Sequence, residues 1–145
     1  MPAPRSSRQD LTELLVQLSG ATTTRITHLP SGAVVESAIA QEYGGPGGAF
    51  SSTDLVAAGL GSCIATNLGP IAERHDIALD RFELRVRKTL SAQPRRISRL
   101  EVLIRVSGAV PQDLRERFHA AAHACTVKRS LHPDLDCVVE LVYDD

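Results

Sequence analysis

The chain has 145 residues, a formal net charge of −1 and an ordinary apolar share, with few aromatics and no Trp. That length suits one domain with a core of Leu, Val, Ile and Ala, and the scattered charges argue against a broad basic field for gripping nucleic acid. No apolar signal core follows MPAPRSSRQD and no stretch approaches the ~20 apolar residues of a bilayer span. Three cysteines do not make a secreted disulfide framework, so the expectation is a cytoplasmic protein with neither nucleic acid nor membrane as partner.

Ser7 and Asp10 resemble a capping box, and Leu11, Leu14, Leu15 and Leu18 then fall on one helical stripe, so a helical extension is expected over residues 1–20, ending at Gly20. Residues 22–29 and 33–40 are β-branched and apolar around Pro30-Ser31-Gly32, which reads as a hairpin. Gly44 to Gly48 form a flexible loop that lacks the Lys-Ser/Thr ending of a phosphate cradle. Ser51 and Asp54 open a second capped helix running to about Arg74. In it Leu60, Ile64, Leu68 and Ile71 give one stripe, and Val56, Leu60, Cys63 and Asn67 a neighbouring one. Gly59, Gly61 and Gly69 each cost about 1 kcal/mol against Ala, which implies another backbone passing close to a buried central helix. Pro70 is expected to kink it.

Phe82, Leu84 and Val86 alternate with Glu83, Arg85 and Arg87, and Leu100 to Val106 repeat the pattern, giving two half-buried strands joined by a loop over 92–96. Pro111 suits the first turn of a helix on which Leu114, Phe118, Ala121 and Cys125 share a stripe. Cys137, Val139, Leu141 and Tyr143 alternate in a closing strand, with Cys137 read as core. The whole is a single α+β domain over 1–145, with antiparallel sheets around a central buried helix.

The candidate chemistry centres on Cys63, in GLGSCIATN, and Cys125, in HACTVKRSL. A buried cysteine is ordinarily just a small hydrophobe. If these two sulfurs meet, however, one can react with an oxidant and the other resolve the sulfenic acid. Cys63 lies too far from the capped start of its helix for the dipole to help, so a reactive thiolate calls for a cation. Arg25, Arg74 and Arg129 are the candidates, with Asp54 or Glu42 to orient one of them. A rival constellation is a metal site of His119, His123 and Cys125, since the two histidines share a helix face. No Glu follows His119, and the bland reading is two exposed histidines.

The segments GGPGGAFSSTDLVAAGLGSCIATNL and HACTVKRSL, with ERHDIALDRFELRVR between them, resemble the OsmC/Ohr family of thiol peroxidases. The likeness runs in order over nearly all of residues 22–143. It implies an OsmC-like fold and an intertwined homodimer with the active site at the subunit interface. It also implies that Cys63 is the peroxidatic cysteine and Cys125 the resolving one, with a hydroperoxide as substrate, a dithiol as reductant and no cofactor or metal. The family steadies its thiolate with an Arg and a Glu. Here the position matching that Glu is Thr53, with Asp54 next to it, and the position matching the Arg lies near Thr22, with Arg25 the nearest substitute. The family's usual Pro after the second cysteine is Thr126. Cys63, Cys125, Arg25 and Asp54 are thus the candidate catalytic residues. A family member that instead binds a small hydrophobic ligand in the interface pocket is the other reading.

Overall fold

A computed structural model describes residues 11–144, and the chain divides into two compact units, 1–52 and 53–145. The first unit is an antiparallel sheet of β1 (Leu14–Gly20), β2 (Thr23–His28) and β3 (Val34–Ala38) in that order. The anticipated hairpin is β2–β3. Its turn closes through Gly32, which takes the left-handed φ of 75° and donates its N–H to the His28 carbonyl at 2.7 Å.

The helix expected up to Gly20 is corrected to a strand over Leu14–Gly20, while Ser7 and Asp10 lie outside the described residues. Leu14, Leu15, Val16 and Leu18 satisfy period 2 as well as period 3.6, and β2 decides between them by offering a ladder: Val16 pairs with Ile26 and Leu18 with Thr24. On that face Ile26 also pairs with Val35, and the Thr24 and Ser37 hydroxyls meet at 2.5 Å. The glycine loop is not slack. Gly44, Gly45 and Gly47 donate to the carbonyls of Gln41, Ala40 and Ile39 at 3.0–3.2 Å.

The second unit places α1 (Ser52–Arg74) in one core with β4 (Phe82–Ala92), β5 (Arg95–Ser107), α2 (Gln112–His123), α3 (Thr126–Ser130) and β6 (Asp136–Asp144). β5 is the middle strand, and its Leu100, Val102, Ile104 and Val106 are buried. Against them pack Leu60, Ile64 and Leu68 of α1 and Leu114, Phe118 and Ala122 of α2. Phe118 meets Phe82 edge to face, with ring centroids 5.3 Å apart.

Four expectations change here. The loop over 92–96 shrinks to Gln93-Pro94, because β4 and β5 stay paired out to Ala92 and Arg95. β6 runs parallel to β5, so this sheet is mixed rather than antiparallel. α1 is buried along one stripe only: a Cβ on Gly61 would meet Val86 Cγ2 at 2.7 Å, whereas Gly59 and Gly69 face open space. It is also long and apolar enough to cross a membrane, with mean hydropathy 1.5, contrary to the expectation of no such stretch. Its packing against β5 makes it a core helix of this unit.

Candidate active site

Cys125 is the residue through which the site is assembled. The stripe Leu114, Phe118, Ala121, Cys125 suggested one continuous helix, but α2 stops at His123 and α3 starts afresh at Thr126. Cys125, in extended conformation between them, is the N-cap of α3, and its Sγ accepts the Lys128 N–H at 3.4 Å. It is fully buried.

Cys63 reaches this joint from α1. The Val127 backbone and the Cys125 side chain, with a smaller part from the Thr126 backbone, lower its thiol below the ordinary range against the cost of partial burial. Cys125 is pushed the other way, by burial and by its own proton being bound to Cys63. The pair therefore shares its first ionisation with the charge on Cys63. One turn further along α1, Asn67 Nδ2 donates to the carbonyls of Ala121 at 3.2 Å and Ala124 at 3.4 Å. That amide clamps the end of α2 to α1, one turn from Cys63 and next to Cys125.

The backbone contribution to Cys63 comes from α3 and leaves no mark in a sequence. Arg25 lies exposed on β2 of the first unit, paired in register with Gln17 and Glu36. Arg74 ends α1, and Arg129 is exposed on α3. Asp54 sits at the start of α1, about 14 Å along the axis from Cys63 at ~1.5 Å per residue. Its Oδ1 accepts from Lys88 Nζ at 2.6 Å, and Lys88 also donates to Thr53 Oγ1 at 2.9 Å. Lys88 was overlooked although a signal existed: it occupies the inward register of β4 that Phe82, Leu84 and Val86 define. Asn67 was named on the Cys63 stripe, but its clamping role was not.

The metal reading is corrected. Among the described residues no group of three or more His, Cys, Asp or Glu is arranged to hold an ion. The rings of His119 and His123 lie 4.4 Å apart, but Lys128 Nζ stands 3.0 Å from His123 Nδ1, where a metal would compete with an ammonium. Burial, Lys128 and His119 together hold His123 below the usual imidazole range. Arg115 turns away from them to lie over the Tyr143 ring, 4.3 Å from its centroid. Cys137 is half-buried against the core, and burial raises its thiol.

A family model described as OsmC-like protein matches residues 45–140, spanning the glycine loop, α1 and both cysteines. The chain belongs to the OsmC-like protein family. This OsmC-like protein is 30% identical to a Psychrobacter arcticus protein named for osmotic stress induction and a detoxification response, over 94% of this chain and 99% of that one, at a TM-score of 0.83. It shares its fold with an organic hydroperoxide resistance protein OsmC of Legionella pneumophila (21% identity, 95% and 99% covered, TM-score 0.67). The same holds for the organic hydroperoxide resistance protein OhrB of Bacillus subtilis (15% identity, 92% and 98% covered, TM-score 0.61). No curated protein matches the chain.

Proposed function

We propose that this protein is a thiol-dependent peroxidase that reduces organic hydroperoxides or hydrogen peroxide through Cys63 and Cys125. The asymmetry of the pair carries the reading: a half-buried Cys63 whose thiol is lowered, beside a fully buried Cys125 whose thiol is raised. The Cys63 thiolate attacks the outer peroxide oxygen. An S–O bond forms, the O–O bond breaks, and the alkoxide leaves and takes a proton to become the alcohol. The Cys125 sulfur then displaces hydroxide from the Cys63 sulfenic acid, giving a disulfide and, with the Cys125 proton, water. A dithiol of the cell reduces the disulfide by exchange and is itself oxidised. The names of the Legionella and Bacillus relatives point the same way.

The working form on this reading is a homodimer. Gly59 and Gly69 expose backbone on an apolar helix with nothing among the described residues against them, which suits close packing of a second copy. Mass spectrometry after one equivalent of cumene hydroperoxide should show a Cys63–Cys125 disulfide. Cys63→Ser should end peroxide consumption, and Cys125→Ser should leave a sulfenic acid that dimedone traps. Unmodified thiols after peroxide would sink the reading. They would favour the second one, a binder of a small hydrophobic molecule, which is supported by an apolar groove of about 530 Å³ lined by Leu68, Gly69, Pro70, Leu79, Phe82 and Leu84 among others.

A further inference from the structure

α2 and α3 are joined by Ala124 and Cys125, so the place of Cys125 depends on what ties these two helices to each other. Lys128 of α3 reaches back to the last residue of α2, its Nζ standing 3.0 Å from His123 Nδ1. The same residue's N–H donates to Cys125 Sγ at 3.4 Å, and that of Arg129 to the Cys125 carbonyl at 3.1 Å. Lys128 therefore holds Cys125 with its backbone and α2 with its ammonium. Both Lys128 and His123 are half-buried.

An ammonium can only donate, so this contact exists only while the imidazole is neutral, with its proton on Nε2 and the Nδ1 lone pair facing Lys128. Once His123 takes a second proton, both ring nitrogens donate and two cations stand 3.0 Å apart. No neighbour offsets that charge. On α2 the His119 ring lies 4.4 Å away and is itself a base. On α3 the neighbour is Lys128, and from β6 it is the Cys137 thiol, on which the Lys128 charge acts and which burial raises. Among the described residues no carboxylate pairs with His123 or Lys128. Burial and these two cationic neighbours hold His123 below the usual imidazole range, so its protonation belongs to acidification below neutrality. We propose that His123 is a positioning residue for Cys125: its neutral ring latches α3 to α2 through Lys128, and acidification opens the latch and loosens the segment that carries Cys125. The consequence for catalysis rests on the reading of Cys125 as the resolving sulfur, since an open latch lets a Cys63 sulfenic acid persist.

Hydrogen exchange of the Lys128 and Arg129 amides in the full chain, corrected for the intrinsic pH dependence of exchange, reads the opening. His123→Asn keeps an acceptor near the Nδ1 position but takes no proton in this range, and Lys128→Met removes the ammonium while keeping the N–H. Wild-type protection of both amides should fall about tenfold between about pH 7 and pH 5, the worth of one hydrogen bond to a charged group. It should stay level in His123→Asn and be low at both pH values in Lys128→Met. The β5 amides should hold their protection in all three proteins, which a general loss of stability would not allow. Level protection in the wild type, a His123→Asn protein that falls with it, or a Lys128→Met protein as protected as wild type at neutral pH would overturn the proposal.

Should Lys128→Met fold poorly, the ring itself supplies the second measurement. Nitrogen NMR spectra of the wild type at neutral pH should show His123 with its proton on Nε2 and a bare Nδ1; a proton on Nδ1 overturns the proposal. None of these readouts contains peroxide. A chain inert to peroxide whose protection still follows His123 supports this inference while refuting the peroxidase reading, and a chain that forms the disulfide with level protection does the reverse.

Discussion

Asp54 and Lys88 allow the role of the carboxylate nearest the family's glutamate position to be decided. Their contact of 2.6 Å is charged on both sides, with Lys88 21% and Asp54 42% exposed. A pair so placed lies at the upper end of the exposed range, at about 1 kcal/mol. With an unfolding entropy of about 2.1 cal/mol/K per residue over 145 residues, losing it lowers Tm by about 3 °C. Asp54→Asn, Lys88→Met and the double variant form a cycle whose coupling term should recover that ~1 kcal/mol in urea titrations at fixed protein concentration. The roughly 14 Å of helix between Asp54 and Cys63 predicts that Cys63 alkylation stays within about twofold of wild type in all three. An Asp54→Asn protein with unchanged Tm and alkylation slowed tenfold, about 1.4 kcal/mol of barrier, would refute this and return Asp54 to the thiolate site.

The pH profile of wild-type alkylation tests the pair as a whole. Cys63 should be slow at low pH and rise through a midpoint below the ordinary thiol range, while Cys125 stays unreactive until well above it; a single shared midpoint at the usual thiol value would contradict the asymmetry. Asn67→Leu removes both donors to Ala121 and Ala124 and should cost about 1 kcal/mol while slowing the peroxide-driven disulfide. An unaltered disulfide rate would show that the clamp does not set the sulfur geometry. Gly59→Leu and Gly69→Leu meet open space in a single chain and should stabilise it by roughly 1 kcal/mol each from helix propensity. Across a two-fold contact the same changes should yield the 15.6 kDa monomer by sedimentation, and a wild type that itself sediments as a folded monomer refutes the dimer.

The elements legible in the sequence were those with one dominant period. β4 and β5 alternate cleanly, and α1 announced its length through stripes that only a helix satisfies. β1 was misread because its run of Leu14, Leu15, Val16 and Leu18 fits either period, and only the partner strand β2 breaks the tie. The break at Ala124-Cys125 was invisible because Ala-His-Ala-Cys contains no helix breaker, and the spacing 114, 118, 121, 125 continues across it. The direction of β6 was equally hidden, since alternation marks a strand but not its neighbour's polarity. At the site the two cysteines could be named from their segments, but the Cys63 donors could not. Backbone amides such as those of Val127 and Thr126 carry no side-chain signature, whereas the charge of Arg25, Arg74 and Arg129 is displayed by the sequence.

The parallel pairing of β5 with β6 also bears on the order in which the chain folds. Arg99 pairs with Asp136 and Ser107 with Asp144, so the crossover bearing Cys125 is anchored at both ends only when the C-terminal strand has joined the sheet. Pairings this distant in sequence carry the closure entropy of the whole intervening segment and form late. The local hydrogen bonds of α1 close over far shorter loops than the pairing that anchors the Cys125 crossover. Strand β6, which carries neither Cys63 nor Cys125, thus completes the frame of the crossover in which Cys125 sits.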